Sequence, residues 1–253
     1  MPIMSRLMKI RVLVIAGTLL APSVAGMSVG AAAPQNPRPT GPSAPKRSGS
    51  PSVPRLYEAQ QQVDAYIQSG RYEADVARVA DAAKAWLERD IKGVAKPAIV
   101  LDIDETSLSN WPAYRLNGWG RVLDGTCDLD HGPCGLRAWQ ALGQSKAIAP
   151  VLSLAQRAHE LGVAMFFISG RPVSLQAATE RNLREQGYQW ERVILEPEGA
   201  TFASAADFKA PARRTLSEQG YTILLSIGDQ QSDLAGGYAH RTFKLPNPVY
   251  FLP

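Results

Sequence analysis

From residue 56 onward the chain switches between two hydrophobic rhythms. Over Leu56–Ile91, apolar residues return every three or four positions: Val63, Tyr66 and Ile67, then Val76, Val79, Ala80, Ala83, Trp86 and Leu87. That is the spacing of helices burying one stripe. Ser69-Gly70 interrupts the stripe and predicts two helices instead of one. The rhythm then changes to short runs of aliphatic and aromatic residues at Pro97–Leu101, Val163–Ile168, Val193–Leu195, Tyr221–Ile227 and Phe243–Leu245. Amphipathic segments separate the later runs: Val151–Leu161, Ser174–Gln186 and Phe208–Gln219. Each is closed by a glycine (Gly162, Gly187, Gly220), the residue that ends a helix with least steric cost. Continuously apolar strands are covered on both faces. Their alternation with helices predicts an α/β fold, a mostly parallel sheet flanked by helices.

Two stretches break the alternation. Residues 107–150 are longer than an ordinary connection and hold Trp111, Tyr114, Trp119 and Trp139 together with the chain's two cysteines. A small cap inserted after the first strand is expected at approximately 107–150. Its aromatic residues either stack on a flat substrate group or form the cap's own core. Cys127 and Cys134 are expected to close a disulfide loop in an oxidising compartment, because two thiols with one nearby His131 make a poor zinc site.

The second exception is the N-terminus. Arg6, Lys9 and Arg11 precede an apolar run, Val12 to Leu20, followed by small residues. This reads as a signal peptide over 1–33, cleaved near 26 or 33, with a retained N-terminal anchor as the alternative. Residues 34–54 are rich in Pro, Ser, Gly and Ala and read as a disordered linker. The folded domain is therefore expected over 55–253, in the periplasm or secreted, with no stable membrane insertion once the signal is removed.

Charge removes one class of function. The net charge of +4 invites a nucleic-acid reading, but six basic residues (Arg6, Lys9, Arg11, Arg38, Lys46, Arg47) lie before Arg55 with no acidic residue among them. The other 21 Lys and Arg stand against all 23 Asp and Glu, a net of −2 over residues 55–253. No nucleic acid polymer is expected as a partner.

Candidate chemistry sits at the strand ends. Asp102 and Asp104 close the first strand, two positions apart, and so face the same way if the extended geometry persists. Alone, the pair could equally be a helix cap and turn. Ser169 closes the second strand, and Asp229 and Asp233 follow the fourth. In a parallel sheet these ends share one rim, where ligands bind in open α/β folds.

The set resembles the haloacid dehalogenase (HAD) superfamily of phosphohydrolases, whose Rossmann-like fold the resemblance implies. Its Asp-x-Asp-x-Thr motif is matched by Asp102, Asp104 and Thr106, its Ser/Thr motif by Ser169, and its Gly-Asp…Asp motif by Gly228, Asp229 and Asp233. Lys209 is the best candidate for its lysine. More narrowly, Asp-Ile-Asp-Glu-Thr-Ser-Leu-Ser-Asn (102–110), Ile-Gly-Asp-Gln-Gln-Ser-Asp-Leu (227–234) and Lys-Leu-Pro-Asn-Pro (244–248) resemble the acid phosphatase branch, class C and plant vegetative-storage-like, subfamily IIIB. Gln231 departs from it, where a Trp is expected.

The resemblance implies a Mg²⁺-dependent acid phosphatase that works through an aspartyl-phosphate; the leader adds export and with it small phosphomonoesters as substrates, and the aromatic residues of the cap point to nucleoside monophosphates among them. Asp102 would be the nucleophile and Asp104 the proton donor and acceptor. Asp102, Asp104 (through its carbonyl), Asp229 and Asp233 would hold the metal. Ser169, Gly170, Lys209 and Thr106 would bind or frame the phosphate, and Arg171 would either join them or lie at the surface. The alternative is a non-catalytic binding or storage protein on the same scaffold, which the intact Asp102 argues against. Cysteine- and histidine-based phosphatase chemistry finds no matching residues: no Cys has an Arg six positions on, and no Arg-His-Gly occurs.

Overall fold

The computed structural model describes residues 55–252. The expected leader (1–33) and linker (34–54) lie outside the described residues. The stripe broken at Gly70 is two helices, α1 (Leu56–Gln68) and α2 (Arg71–Asp90). Gly70 joins them at φ 75°, a conformation that costs glycine nothing. After β1 (Pro97–Leu101) the chain builds an insertion: β2 (Leu108–Ser109), α3 (Trp111–Leu116), α4 (Leu136–Leu142) and β3 (Lys146–Ala147). Regular alternation resumes with α5 (Ala149–Glu160), β4 (Ala164–Pro172), α6 (Gln176–Glu185), β5 (Arg192–Glu196), α7 (Ala206–Glu218), β6 (Thr222–Gly228), α8 (Gln231–Leu234) and β7 (Arg241–Lys244).

Five of these strands form one parallel sheet in the order β5-β4-β1-β6-β7. The chain leaves β1 toward β4 and β5, then returns to β6 on the other side. The sheet's order therefore reverses about β1. Period-two alternation sorts the strand residues onto two cores. Ile99 and Leu101 join α2, α5 and α6 through Val76, Ala83, Leu154 and Leu183. Ala98 and Val100 face the other way, with Phe166, Ile168 and Ile223, under Leu216 of α7. Both faces are thus covered, as the unbroken apolar runs require. Leu101 is fully buried, and truncating such a side chain to Ala costs about 2–5 kcal/mol.

One strand boundary differs from expectation. β4 does not stop at Ile168 but continues through Ser169, Gly170 and Arg171, because Pro172 still pairs with Glu196 of β5 after a slip in register. Ser169 therefore lies inside the strand.

The insertion resolves the question of its aromatic residues. Tyr114, Trp119 and Trp139 pack with Ala113, Cys134 and Leu136 into a separate small core. Trp111 packs against Tyr72 of α2 in a tilted contact, with centroids 4.2 Å apart, and meets Trp119 edge to face. These rings build the insertion and fasten it to the body. Cys127 and Cys134 are joined in a disulfide within it. Among the described residues no helix is long and apolar enough to cross a membrane.

Candidate active site

Strand alternation delivers the first acid. Asp102 follows β1 on the face of Ala98 and Val100, the face that α7 covers. Its N–H still bonds Ile227 O at 3.0 Å, so the ladder with β6 fixes its backbone. The chain then turns sharply: Ile103 O accepts the N–H groups of Ser107 and Leu108 at 2.9 and 2.8 Å, and Glu105 takes φ 52°. The side chain of Asp104 leaves this turn to meet Arg171 of β4. Two acids spaced alike in sequence thus enter different surroundings.

Asp102 joins an acidic group. One carboxylate oxygen from each of Asp102, Asp229 and Asp233 lies within 4.8 Å of the others, and all three residues are buried. Lys209 Nζ on α7 stands 2.5 Å from Asp102 Oδ1 and 2.6 Å from Asp233 Oδ1. Burial and then the Asp233 charge push the Asp102 carboxyl well above its ordinary range, only partly offset by Lys209. Asp229 is pushed up to about 6, first by burial and then by Asp233. Burial lowers the Lys209 ammonium, but its two carboxylate partners outweigh that and raise it. A hard divalent cation suits this donor set, which is all oxygen and carries the mutual repulsion that a cation relieves.

The surrounding sequence supports that geometry. Thr106 donates its hydroxyl to Asp229 Oδ1 at 3.2 Å, while Gln230 Nε2 and Asn247 Nδ2 donate to Oδ2 at 2.6 and 2.7 Å. Lys244 Nζ donates to the Asp229 carbonyl at 2.9 Å. Gly228 has a steric reason to be glycine, since an added Cβ would sit 2.5 Å from Asp233 Cβ and Oδ2. Gln231, the departure from the family pattern, is exposed at the start of α8 and touches none of these contacts.

Asp104 meets a cation of its own. Arg171 Nη2 lies 2.8 Å from Oδ1, and Nε reaches both carboxylate oxygens at 3.1 Å. Burial pushes the Asp104 carboxyl up, but Arg171, with Asn110 and Gln140 as further donors, holds it below the usual carboxylate range. Arg171 is itself sealed, 2% exposed, and its Nη1 donates to Thr179 Oγ1 at 3.2 Å. It is not a surface residue, and its guanidinium is occupied by Asp104.

These groups line one cleft of about 300 Å³. Asp102, Asp104, Ser169, Gly170, Arg171, Lys209, Asp229 and Asp233 form its floor and sides. The insertion contributes Tyr114 and Gln140, and the C-terminal segment contributes Tyr250 and Leu252. Thr106 is fully buried behind the cleft and acts on Asp229. The carboxylate of Asp104 is not part of the three-acid group. Sequence reasoning passed over Glu105, Asn110, Gln140, Gln230, Asn247 and Tyr250. Glu105, Asn110, Gln230 and Asn247 lie inside the segments that carry the family resemblance, so a signal existed without a role attached. Gln140 and Tyr250 carried none.

A family model described as HAD superfamily, subfamily IIIB (Acid phosphatase) matches residues 53–253. The chain belongs to this family. The protein is accordingly a HAD-type acid phosphatase, a phosphoric monoester hydrolase. Among its relatives, the stem 28 kDa glycoprotein of Glycine max is 37% identical over 191 residues, 74% of this chain and 72% of that protein. Acid phosphatase 1 of Solanum lycopersicum is 30% identical over 193 residues, 75% of this chain and 73% of its own. The class C acid phosphatase of Bacillus anthracis shares the fold. It superposes with a TM-score of 0.60 at 24% identity, over 76% of this chain and 86% of that one.

Proposed function

We propose that this acid phosphatase is an exported, Mg²⁺-dependent enzyme that hydrolyses small phosphomonoesters through an aspartyl-phosphate on Asp102. One observation carries the reading: the carboxylates of Asp102 and Asp104, two positions apart, are drawn to opposite partners, the acidic group with Lys209 on one side and Arg171 on the other. That separation suits a nucleophile and a proton-transfer group.

Asp102 attacks phosphorus, and the bond to the ester oxygen breaks as Asp104 passes a proton to the departing alcohol. Water then attacks the aspartyl-phosphate, gives its proton to Asp104, and frees Asp102 and phosphate. Ser169, the Gly170 backbone and Lys209 balance the phosphoryl charge. Arg171 holds Asp104 ionised at rest, so the proton for the first step arrives with the substrate. A phosphate monoester is a monoanion below its second pKa of about 6, which favours acid operation. Asp102, Asp229 and Asp233, with the Asp104 carbonyl, would hold Mg²⁺, which supplies electrostatic stabilisation of the phosphoryl oxygens.

Export rests on the basic and apolar pattern of residues 1–33 and agrees with a disulfide in the insertion. For nucleoside monophosphates, the rings able to meet a base are Tyr250 and Phe202, the last 40% exposed at the cleft. Phe202→Ala should then weaken a nucleotide more than a sugar phosphate, and equal loss on both removes the nucleotide preference.

The deciding test is hydrolysis of p-nitrophenyl phosphate by the full chain from pH 4 to 8, with Mg²⁺, with chelator, and with Asp102→Asn. Turnover should require both metal and Asp102. Activity that survives in chelator, or in Asp102→Asn, overturns the mechanism.

A further inference from the structure

The two oxygens of Asp104 are treated unequally. Oδ1 receives Asn110 Nδ2 at 2.6 Å, Gln140 Nε2 at 3.0 Å and Arg171 Nη2 at 2.8 Å, besides its share of Arg171 Nε. Oδ2 has that shared Nε contact, at 3.1 Å. A carboxylate oxygen offers about two good acceptor sites. Oδ1 is therefore saturated, while Oδ2 keeps capacity.

The Asn110 amide cannot turn over. Its Oδ1 accepts from Trp139 Nε1 and from Ser145 Oγ, both at 3.1 Å. An indole N–H only donates, so the oxygen must face Trp139 and the NH₂ must face Asp104. The second amide hydrogen meets Glu105 Oε2 at 3.2 Å, and Glu105 Oε1 accepts the Asn110 backbone N–H at 2.6 Å. Asn110 is fully buried with every polar group used. Trp139 and Gln140 both come from α4, so the insertion sets the grip on the acid that lies between β1 and β4.

We infer that Asn110 and Gln140 are positioning residues that lock Asp104 through Oδ1 and leave Oδ2 as the oxygen that exchanges a proton with the leaving group. Arg171 supplies the charge and the two amides supply the direction. Neutral donors can do this without adding a second cation beside the acid. The insertion then completes the proton-transfer group as well as walling the cleft. This rests on the proposed role of Asp104 as proton donor.

The test is the dependence of kcat/KM on leaving-group basicity, measured on the full chain with Mg²⁺ across esters from nitrophenyl to alkyl phosphates. kcat/KM reports the steps up to phosphorylation of Asp102, where the leaving group departs. An alkoxide needs the proton and a nitrophenolate barely does. In Gln140→Leu, alkyl phosphates should lose about 30- to 100-fold while nitrophenyl esters lose less than about threefold. Gln140→Met, unbranched and of similar length, should steepen the dependence in the same way and carries the test if Gln140→Leu does not fold. Uniform loss across the series, or an unchanged slope in a folded variant, overturns the inference and leaves the role of Asp104 standing. A wild-type slope as steep as that of Asp104→Asn overturns that role and the inference with it.

Discussion

Lys209 Nζ lies 2.5 Å from Asp102 Oδ1, and both side chains are almost sealed from solvent, at 5% and 7% exposed. The same ammonium reaches Asp233 at 2.6 Å. One cation from α7 therefore compensates carboxylates that follow two different strands. Replacing it leaves buried charge without a partner, which typically costs about 3–5 kcal/mol. Lys209→Met should lower urea-unfolding stability by that order in chelator. Millimolar Mg²⁺ should restore part of the loss, while hydrolysis falls at least about a hundredfold. Equal stability of variant and wild type in chelator would show that Lys209 does not compensate the acids.

Asp229 is held from outside the cleft by Thr106 and Asn247. Groups that orient a metal ligand typically contribute about 10- to 100-fold in metal affinity. Thr106→Val and Asn247→Ala should each raise the Mg²⁺ concentration for half-maximal activity within that range. Turnover at saturating metal should stay within about threefold of wild type. A metal titration at fixed substrate separates the two effects.

Gly228→Ala should disable the site without touching any reacting atom. Its Cβ would lie 2.5 Å from Asp233 Oδ2, so Asp233 must shift and lose its bonds to Lys209 and to the Gln230 N–H. Overpacking of this kind typically costs about 1–3 kcal/mol. Activity should drop by more than about tenfold, with the secondary structure retained by circular dichroism.

Glu105 gives the fold a pH dependence. Burial, then the Asp104 charge, pushes its carboxyl up to about 8. An unfolded Glu ionises near its ordinary value of about 4.3. Between these values the unfolded chain holds fewer protons than the folded one, so stability is full below the lower value and declines as pH rises toward the upper. Asp229, raised to about 6, acts with the same sign over a narrower window. In chelator the unfolding free energy should therefore fall from pH 5 to 8 by a few kcal/mol in all, and the urea midpoint should fall with it. Glu105→Gln should flatten the part above pH 6. A midpoint that rises over this interval would contradict the assignment.

Much of the architecture was legible in one dimension. Helical and strand rhythms differ in period, and unbroken apolar runs state that both faces of a strand are covered. The central sheet, its flanking helices and the long insertion after β1 followed from that. So did the rim that gathers Asp102, Asp104, Ser169, Asp229 and Asp233, because parallel strands present all their carboxyl ends on one side.

What the linear order could not carry was direction after the strand ends. Asp102 and Asp104 flank Ile103, whose carbonyl opens the turn that ends β1, and one carboxylate meets Lys209 while the other meets Arg171. Arg171 read as a phosphate ligand or a surface residue, because only the slipped register of β4 on β5 reveals its burial. The aromatic residues of the insertion could have lined a pocket or filled a core, and packing chose the core for three and the α2 contact for Trp111. Gln140 carried no signal at all: a polar residue on a short helix looks the same whether it meets water or a buried acid. Residue types and spacing determined which groups reach the rim. Tertiary contacts, made between positions as far apart as Asp104 and Arg171, decided which oxygen each of them faces.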